Sequence, residues 1–353
     1  MTLSLCTITQ PTIGFGLTLP IPRLASSRHL CIQISSVMVD KSKVYCSISL
    51  LLVMNLKELL VQYKEELSGI YEEQEITAIF NLLVEHVSGF NNRHLALKGI
   101  STSMQDDFAM WGYLGELKTG KPVQYVIGET WFYGLQFKVN PSVLIPRPET
   151  EELVEWVIES CAVKSSKGTA ASKDGLSIID IGTGSGCISV TLASKISGAS
   201  LTGMDVSSEA LETAKINALL NSVGVTFVLG DILDSNAMAS LDAKYDVIVS
   251  NPPYITPEEK EQMHQNVLDH EPHLALFVAK ERPLIFYEAI ADFGLRYLNS
   301  GGLLFFEINE HLGEETIQML EDKSFINTVL RKDMQGKDRM IRCSLETQVR
   351  AGA

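Results

Sequence analysis

Apolar positions change their spacing along the chain. From Met54 to about Lys121 they recur three and four residues apart. In "ITAIFNLLVEHVSGF", Ile76, Ile79, Phe80, Leu83 and Val84 share one stripe, which is the spacing of one helical face. Leu56, Leu59, Leu60 and Tyr63 begin the same pattern, and Gly69, Gly89, Gly99 and Gly120 punctuate it. A small bundle of short helices is predicted over 54–121. The next segment, 122–147, is different. "VQYVIGETWFYGLQFKVN" is rich in β-branched and aromatic residues and predicts a β-hairpin that turns at Gly128 and Gly134. A helix is expected from Pro148, whose missing N–H costs nothing in a first turn. Glu149, Glu151 and Glu152 suit its positive end. Leu153, Val154, Trp156 and Val157 give it a buried side.

From Leu176 onward short apolar runs alternate with helical patterns. "LSIIDI", "SLTGMD", "VTFVLGD", "YDVIVS" and "GGLLFFEIN" read as strands. "CISVTLASKI", "SEALETAKINALLN", "PLIFYEAIADFGLRYL" and "EETIQMLEDK" read as helices, and "FINTVLRKD" and "RMIRCSL" as closing strands. Such alternation implies βαβ units around a parallel sheet. Continuous apolar strands such as "DVIVS" fit a sheet covered on both faces. The expected class is α/β, a doubly wound, mostly parallel seven-stranded sheet over 148–345, with a tail at 346–353. "KSSKGTAASKDG", residues 164–175, reads as a flexible surface loop.

The remaining segment, 1–53, is unlike the rest. It is rich in Ser and Thr, carries Arg23, Arg28, Lys41 and Lys43, and has Asp40 as its only acid. Two readings stand: an organelle transit peptide, or a false start ahead of Met54. Under either it is expected to be a disordered leader. The chain would be cytoplasmic, or in a plastid or mitochondrion if the leader is a transit peptide.

Charge narrows the partners. The 353 residues carry 43 acids against 29 Lys and Arg, a net charge of −14. Duplex DNA binding depends on Lys and Arg neutralising phosphates, so nucleic acid is disfavoured as substrate. Cys6, Cys31, Cys46, Cys161, Cys187 and Cys343 form no C-x-x-C pair, so no zinc or redox motif is signalled. His264, His270, His273 and Asp269 lack a complete tetrahedral set and are expected in an exposed loop. No metal, no membrane span and no obligate oligomer is expected.

The chemistry concentrates at strand ends. "DIGTGSGC" spaces its glycines as G-x-G-x-G, at Gly182, Gly184 and Gly186, with Asp180 two residues ahead. A dinucleotide fingerprint would need glycine at position 187, where Cys187 stands. The pattern instead matches the turn of S-adenosylmethionine (SAM)-dependent methyltransferases. Asp205 ends the second strand and can accept both ribose hydroxyls. Asp231 follows the third strand, where it could meet the adenine amino group, with Ile232 and Leu233 flanking the ring.

"NPPY" follows the fourth strand. Pro252 and Pro253 cannot continue a central strand. Asn251 supplies an amide acceptor and donor, and Tyr254 a flat face. Together they would grip a planar –NH₂ group. The Asn251 side-chain oxygen and the Pro252 carbonyl would accept its two hydrogens as positive charge develops on nitrogen. No strong base is evident nearby. Asn251, Pro252 and Tyr254 are therefore the expected catalytic residues.

"DIGTGSG" with "NPPY", preceded by "PVQYVIGETWFYG" and "VLIPRPETEELVEW" and followed by "HEPHLALF", resembles the HemK/PrmC family of protein-(glutamine) methyltransferases. The resemblance covers about residues 54–345. It implies N5-methylation of the glutamine in the Gly-Gly-Gln loop of a class I peptide-chain release factor, with the helical domain docking that factor. It implies SAM contacts at Gly182, Thr183, Gly184, Ser185, Gly186, Asp205, Ile232 and Asn251. It implies substrate contacts at Asn251, Pro252, Pro253 and Tyr254. Some relatives carry Trp where Ile232 stands. In "RPET", Arg147 or Glu149 either orders the NPPY loop or merely starts a helix. An N6-adenine methyltransferase would share the same site chemistry. A binding protein that kept only the fold, and an NAD dehydrogenase, are the further alternatives.

Overall fold

The computed structural model describes residues 31–40, 43–51, 56–89, 104–166, 175–234 and 243–346. Most of the loop expected at 164–175, most of the expected tail and residues 1–30 of the expected leader lie outside them. The described residues fall into two compact units, divided at Glu66/Leu67, Glu72/Glu73 and Gly112/Tyr113.

The first unit contains an unexpected element. Strands β1 (Cys31–Asp40) and β2 (Lys43–Leu51) pair antiparallel, from Cys31 opposite Leu51 to Asp40 opposite Lys43. The segment expected as a disordered leader therefore contains a ribbon. Its repeated Ile and Val suit an extended backbone. Helices follow at Leu56–Leu67, Glu73–Ser88 and Met104–Leu117. The stripe Ile76, Ile79, Phe80, Leu83 and Val84 is buried, as its spacing predicts. The Tyr63 ring meets Phe80 edge-on at 5.1 Å. The division at Gly112 falls inside the third helix, ahead of the expected limit at Lys121. Within the second unit, the Tyr71 hydroxyl reaches the carbonyls of Leu117 and Lys121, both at 3.4 Å.

The second unit opens with a correction. Val123–Ile127 is a short helix, not a strand, and Gly128 ends it at φ 73°. The hairpin is shorter than expected: β3 (Glu129–Phe132) and β4 (Leu135–Lys138). Its turn is Tyr133-Gly134, with φ 50° and 75°. Positive φ at both positions is the backbone of a two-residue hairpin turn. Asn217 fixes this hairpin to the sheet domain. Its Oδ1 accepts from Lys138 N at 2.6 Å. Its Nδ2 donates to the carbonyls of Lys138 (2.9 Å) and Ser185 (2.8 Å).

After the long helix Pro148–Ser166 come β5 (Ser177–Ile181), β6 (Ser200–Asp205), β7 (Val225–Leu229), β8 (Tyr245–Ser250), β9 (Leu298–Glu307), β10 (Ile326–Lys332) and β11 (Asp338–Ser344). They form one seven-stranded sheet in the order β10-β11-β9-β8-β5-β6-β7. The pairs β5–β6, β5–β8, β6–β7 and β8–β9 are parallel, while β11 runs antiparallel to both neighbours. Both faces are covered. Ile178, Val247 and Phe305 pack in a core with Leu153 and Val157. Ile179, Ile248 and Phe306, one residue further along each strand, pack in a second core with Tyr287 and Ile290. Successive side chains of a strand point to opposite faces, so a doubly covered sheet requires uninterrupted apolar runs.

His270 closes the short helix Gln265–His270 and His273 opens His273–Leu276, where a loop was expected, while His264 lies outside both, just ahead of the first. His264 caps the first of these. His270 and His273 bond the carbonyls of Thr119 (3.1 Å) and Leu268 (2.8 Å). Among the described residues no group of three potential ligands could hold a metal ion, and no helix is long and apolar enough to cross a membrane.

One glycine joins the sheet to its helices. Gly186 has φ +79°, and a Cβ there would lie 3.1 Å from the Ala214 Cβ and 3.3 Å from the Val190 Cγ2. Gly186→Ala is expected to lower the unfolding free energy by about 2 kcal/mol, combining left-handed strain with overpacking. A shift of the urea midpoint measures it, and an unchanged midpoint would contradict this packing role.

Candidate active site

The parallel register brings the strand ends together. Ile181 lies opposite both Met204 and Ser250, and Asp205 opposite Leu229. The segments that follow β5, β6, β7 and β8 therefore share one edge, where open α/β sheets bind ligands. Ser250 Oγ ties two of these ends by donating to Ile181 O at 2.6 Å.

The glycine turn is held by main-chain bonds. Gly182 N and Thr183 N both donate to Met204 O, at 2.8 and 2.9 Å. Gly182 and Gly184 have φ +74° and +54°, and a Cβ on Gly182 would meet nothing within 4 Å. Side chains here would fill the cavity instead of striking protein. Asp205 spans the turn: Oδ2 accepts from Gly184 N at 2.8 Å and Oδ1 from Ser207 N at 2.9 Å. Burial pushes its carboxyl above the usual range, and these N–H donors pull it back. Each oxygen keeps acceptor capacity for a hydroxyl.

A cavity of about 350 Å³ opens above this edge. Of the residues expected at the cofactor, Gly182, Gly184, Asp205, Asp231, Ile232 and Asn251 line it. Thr183, Ser185 and Gly186 are not among the lining residues. Thr183 Oγ1 turns down to Asp180 Oδ2 at 2.6 Å. The Ser185 side chain is buried, and Gly186 serves the packing described above. Asp180 lies beneath the turn and holds it, accepting also from Ser189 N at 3.1 Å. Burial pushes the Asp180 carboxyl up to about 7 against those hydrogen bonds. Leu144 and Phe286, which the sequence did not single out, close the cavity walls.

A second cavity, about 270 Å³, lies against the first. Asn251 and Pro252 line both. Tyr254 belongs to the second and Pro253 to the first. The NPPY loop is thus the partition between two spaces.

Of the two readings of "RPET", the helix does start at Pro148, and Arg147 also lines the second cavity beside Asn251. Arg147 pairs with Glu271 Oε1 at 2.5 Å. Glu271 is buried and also accepts from Ile145 N at 3.2 Å. Glu149 accepts from Gln335 Nε2 at 3.2 Å. Neither Arg147 nor Glu149 hydrogen-bonds Asn251. Thr150 does: Asn251 Nδ2 donates to Thr150 Oγ1 at 3.2 Å. Thr150 Oγ1 donates to Glu307 Oε2 at 2.7 Å. Tyr254 OH donates to Glu307 Oε1 at 3.0 Å, so the phenol, expected as a flat face, serves here as a donor. Glu307 is buried on the wall of the second cavity. A carboxyl group therefore lies near the loop after all. Burial pushes it up, and the two hydroxyl donors and Arg339 favour its charged form.

Thr150, Glu271 and Glu307 were missed. An acid closing the apolar run "LLFFE" was the visible signal for Glu307. Thr150 and Glu271 stood inside the quoted stretches "RPET" and "HEPHLALF", but their partners lie over a hundred residues away in the chain, so their roles were not legible there.

The sequence profile of the family described as "Methyltransferase small domain" matches residues 166–274. A release factor glutamine methyltransferase of Flavobacterium psychrophilum is 44% identical over 291 residues, covering 82% of this chain and 99% of that one. One of Bacteroides thetaiotaomicron is 37% identical over 279 residues, covering 79% and 96%. The glycine cradle, the strand-end acids and the asparagine partition thus occur in a chain that matches these relatives along nearly their whole length: it belongs to the release factor glutamine methyltransferase family and is an S-adenosylmethionine-dependent methyltransferase.

Proposed function

We propose that this site methylates the side-chain amide nitrogen of the glutamine in the Gly-Gly-Gln loop of a class I peptide-chain release factor. The observation that carries the reading is the shared position of Asn251 and Pro252 between two cavities. A methyl donor on one side and an amide on the other would meet there.

Gly182, Gly184, Asp205, Asp231 and Ile232 would hold the cofactor, and Asn251 and Pro252 the amide. Asp205 would accept the ribose hydroxyls. Thr183, Ser185 and Gly186 would act from behind, by shaping the turn. When bound, S-adenosylmethionine would supply a methyl group on a cationic sulfur that can leave with its bonding pair. An amide nitrogen is a weak nucleophile because its lone pair is delocalised into the carbonyl. Asn251 Oδ1 and the Pro252 carbonyl accept its two N–H groups and favour the less planar nitrogen that attacks. The same acceptors stabilise the positive charge that grows there until one proton passes to solvent water. Tyr254 and Pro253 would wall the amide in. The helical segment 54–121 would dock the release factor, and the chain would act as a monomer. Such a substrate belongs to the cytoplasm or to an organelle with its own translation.

With labelled S-adenosylmethionine, the full chain is expected to label a release factor carrying the Gly-Gly-Gln loop. A Gln→Ala version of that loop and duplex DNA should stay unlabelled, and label on DNA would overturn the choice of substrate. Asn251→Ala should reduce kcat by about 10²–10³, the scale of lost transition-state acceptors and donors; near-normal turnover in a single-turnover assay would remove Asn251 from catalysis. Asp205→Ala should weaken cofactor binding by about 1–3 kcal/mol in calorimetry.

A further inference from the structure

The proton inventory around Asn251 assigns a role to two residues outside the NPPY loop. An asparagine amide works as an acceptor toward substrate only if its oxygen, and not its nitrogen, faces the substrate. Rotating the side chain by half a turn exchanges the two at almost no steric cost. Something must decide between them.

The Thr150 hydroxyl carries a single proton. It donates that proton to Glu307 Oε2 at 2.7 Å. Thr150 Oγ1 can therefore only accept from the Asn251 side, where it takes a hydrogen from Nδ2 at 3.2 Å. The second oxygen of Glu307 accepts from Tyr254 OH at 3.0 Å. Both arms end on one buried carboxylate, which has no proton to give when charged. Thr150 is 2% exposed and Glu307 likewise 2%, so little of either side chain faces solvent.

We infer that Thr150 and Glu307 are positioning residues which set the orientation of the Asn251 amide, Glu307 claiming the Thr150 proton so that Thr150 must accept from Nδ2 and Oδ1 is left for the substrate amide. The inference rests on the role proposed above for Asn251. It deepens that role by naming what makes Asn251 an acceptor. Tyr254, bonded to the other oxygen of Glu307, is held by the same group, so the two ends of the NPPY loop share one anchor. Burying a carboxylate in a protein interior is unfavourable unless it is hydrogen-bonded. The two hydroxyls supply one bond to each oxygen, and the same bonds align the loop.

The test separates the hydroxyl from its packing. Thr150→Val keeps the shape and removes the hydroxyl; Thr150→Ser keeps the hydroxyl and removes a methyl group. Wild type and variants, as full chains, are assayed with labelled S-adenosylmethionine and a release factor bearing the Gly-Gly-Gln loop. Cofactor affinity is followed by calorimetry. Thr150→Ser is expected to keep most of the turnover. Thr150→Val should lose about 10- to 100-fold in kcat, the factor that corresponds to a hydrogen bond involving a charged group. Its cofactor affinity should stay within about twofold, because the cavity that holds the cofactor is not lined by Thr150. If Thr150→Val does not fold, Thr150→Ala takes its place with the same expected loss. Equal turnover in the hydroxyl-free and serine variants would overturn the inference, as would a serine variant as slow as valine. A loss of cofactor affinity matching the loss of kcat would overturn it too. If the wild type labels no release factor, the proposed substrate fails first, and that outcome is distinct from all of these.

Discussion

Strand β8 lies parallel to β5, with Ser250 opposite Ile181 and its hydroxyl on the Ile181 carbonyl. That register sets the NPPY loop beside the glycine turn. Strand residues advance about 3.3 Å each, so a slip of one residue would carry the NPPY loop past the glycine turn and reverse the face of every side chain on β8. The register is secured by burial on both sides: Val247 and Val249 in one core, Ile248 in the other. Neither core tolerates an exchange of alternate residues, because each is filled from a different set of helices.

The glycine turn depends on the same arrangement. Its first two amides are spent on Met204 O of the neighbouring strand, and Asp205, one residue further, closes back on Gly184 N. Strand β6 therefore builds the turn that follows β5. Asp180 secures it from below, where its carboxyl is buried and held by Thr183 and Ser189. The turn is rigid because its neighbours hold it. The glycines are needed for their left-handed backbone and for the open space above them.

Three segments outside the parallel strands complete the site. Loop 139–147 supplies Leu144 to both cavities, and it is held by Tyr125 on Val143 O and by Glu271 on Ile145 N and Arg147. The stretches that carry the family resemblance, "PVQY", "IPRPET" and "HEP", are thereby joined in one set of contacts. A buried carboxylate such as Glu271 is a strong organiser, since losing either partner leaves an uncompensated charge.

The sequence by itself determined the alternation of strands and helices, the glycine turn, the acids at the strand ends and the asparagine-diproline loop. All of these are local. A βαβ pattern, a G-x-G-x-G spacing or a diproline after an apolar run is written in a few adjacent residues, and chain geometry makes its consequence unavoidable. Local pattern misled where two structures compete over a short segment: Val123–Ile127 has strand-forming residues and forms a helix between Pro122 and Gly128, and the segment set aside as a leader pairs as β1 and β2. Tertiary structure alone decided that Thr150, not Arg147 or Glu149, hydrogen-bonds Asn251, and that Glu307 lies behind it. It also decided that Thr183 and Ser185 turn away from the cavity that Gly182 and Gly184 line. Such contacts join residues up to 157 positions apart. They follow from strand order and register, which emerge only when the whole sheet is packed.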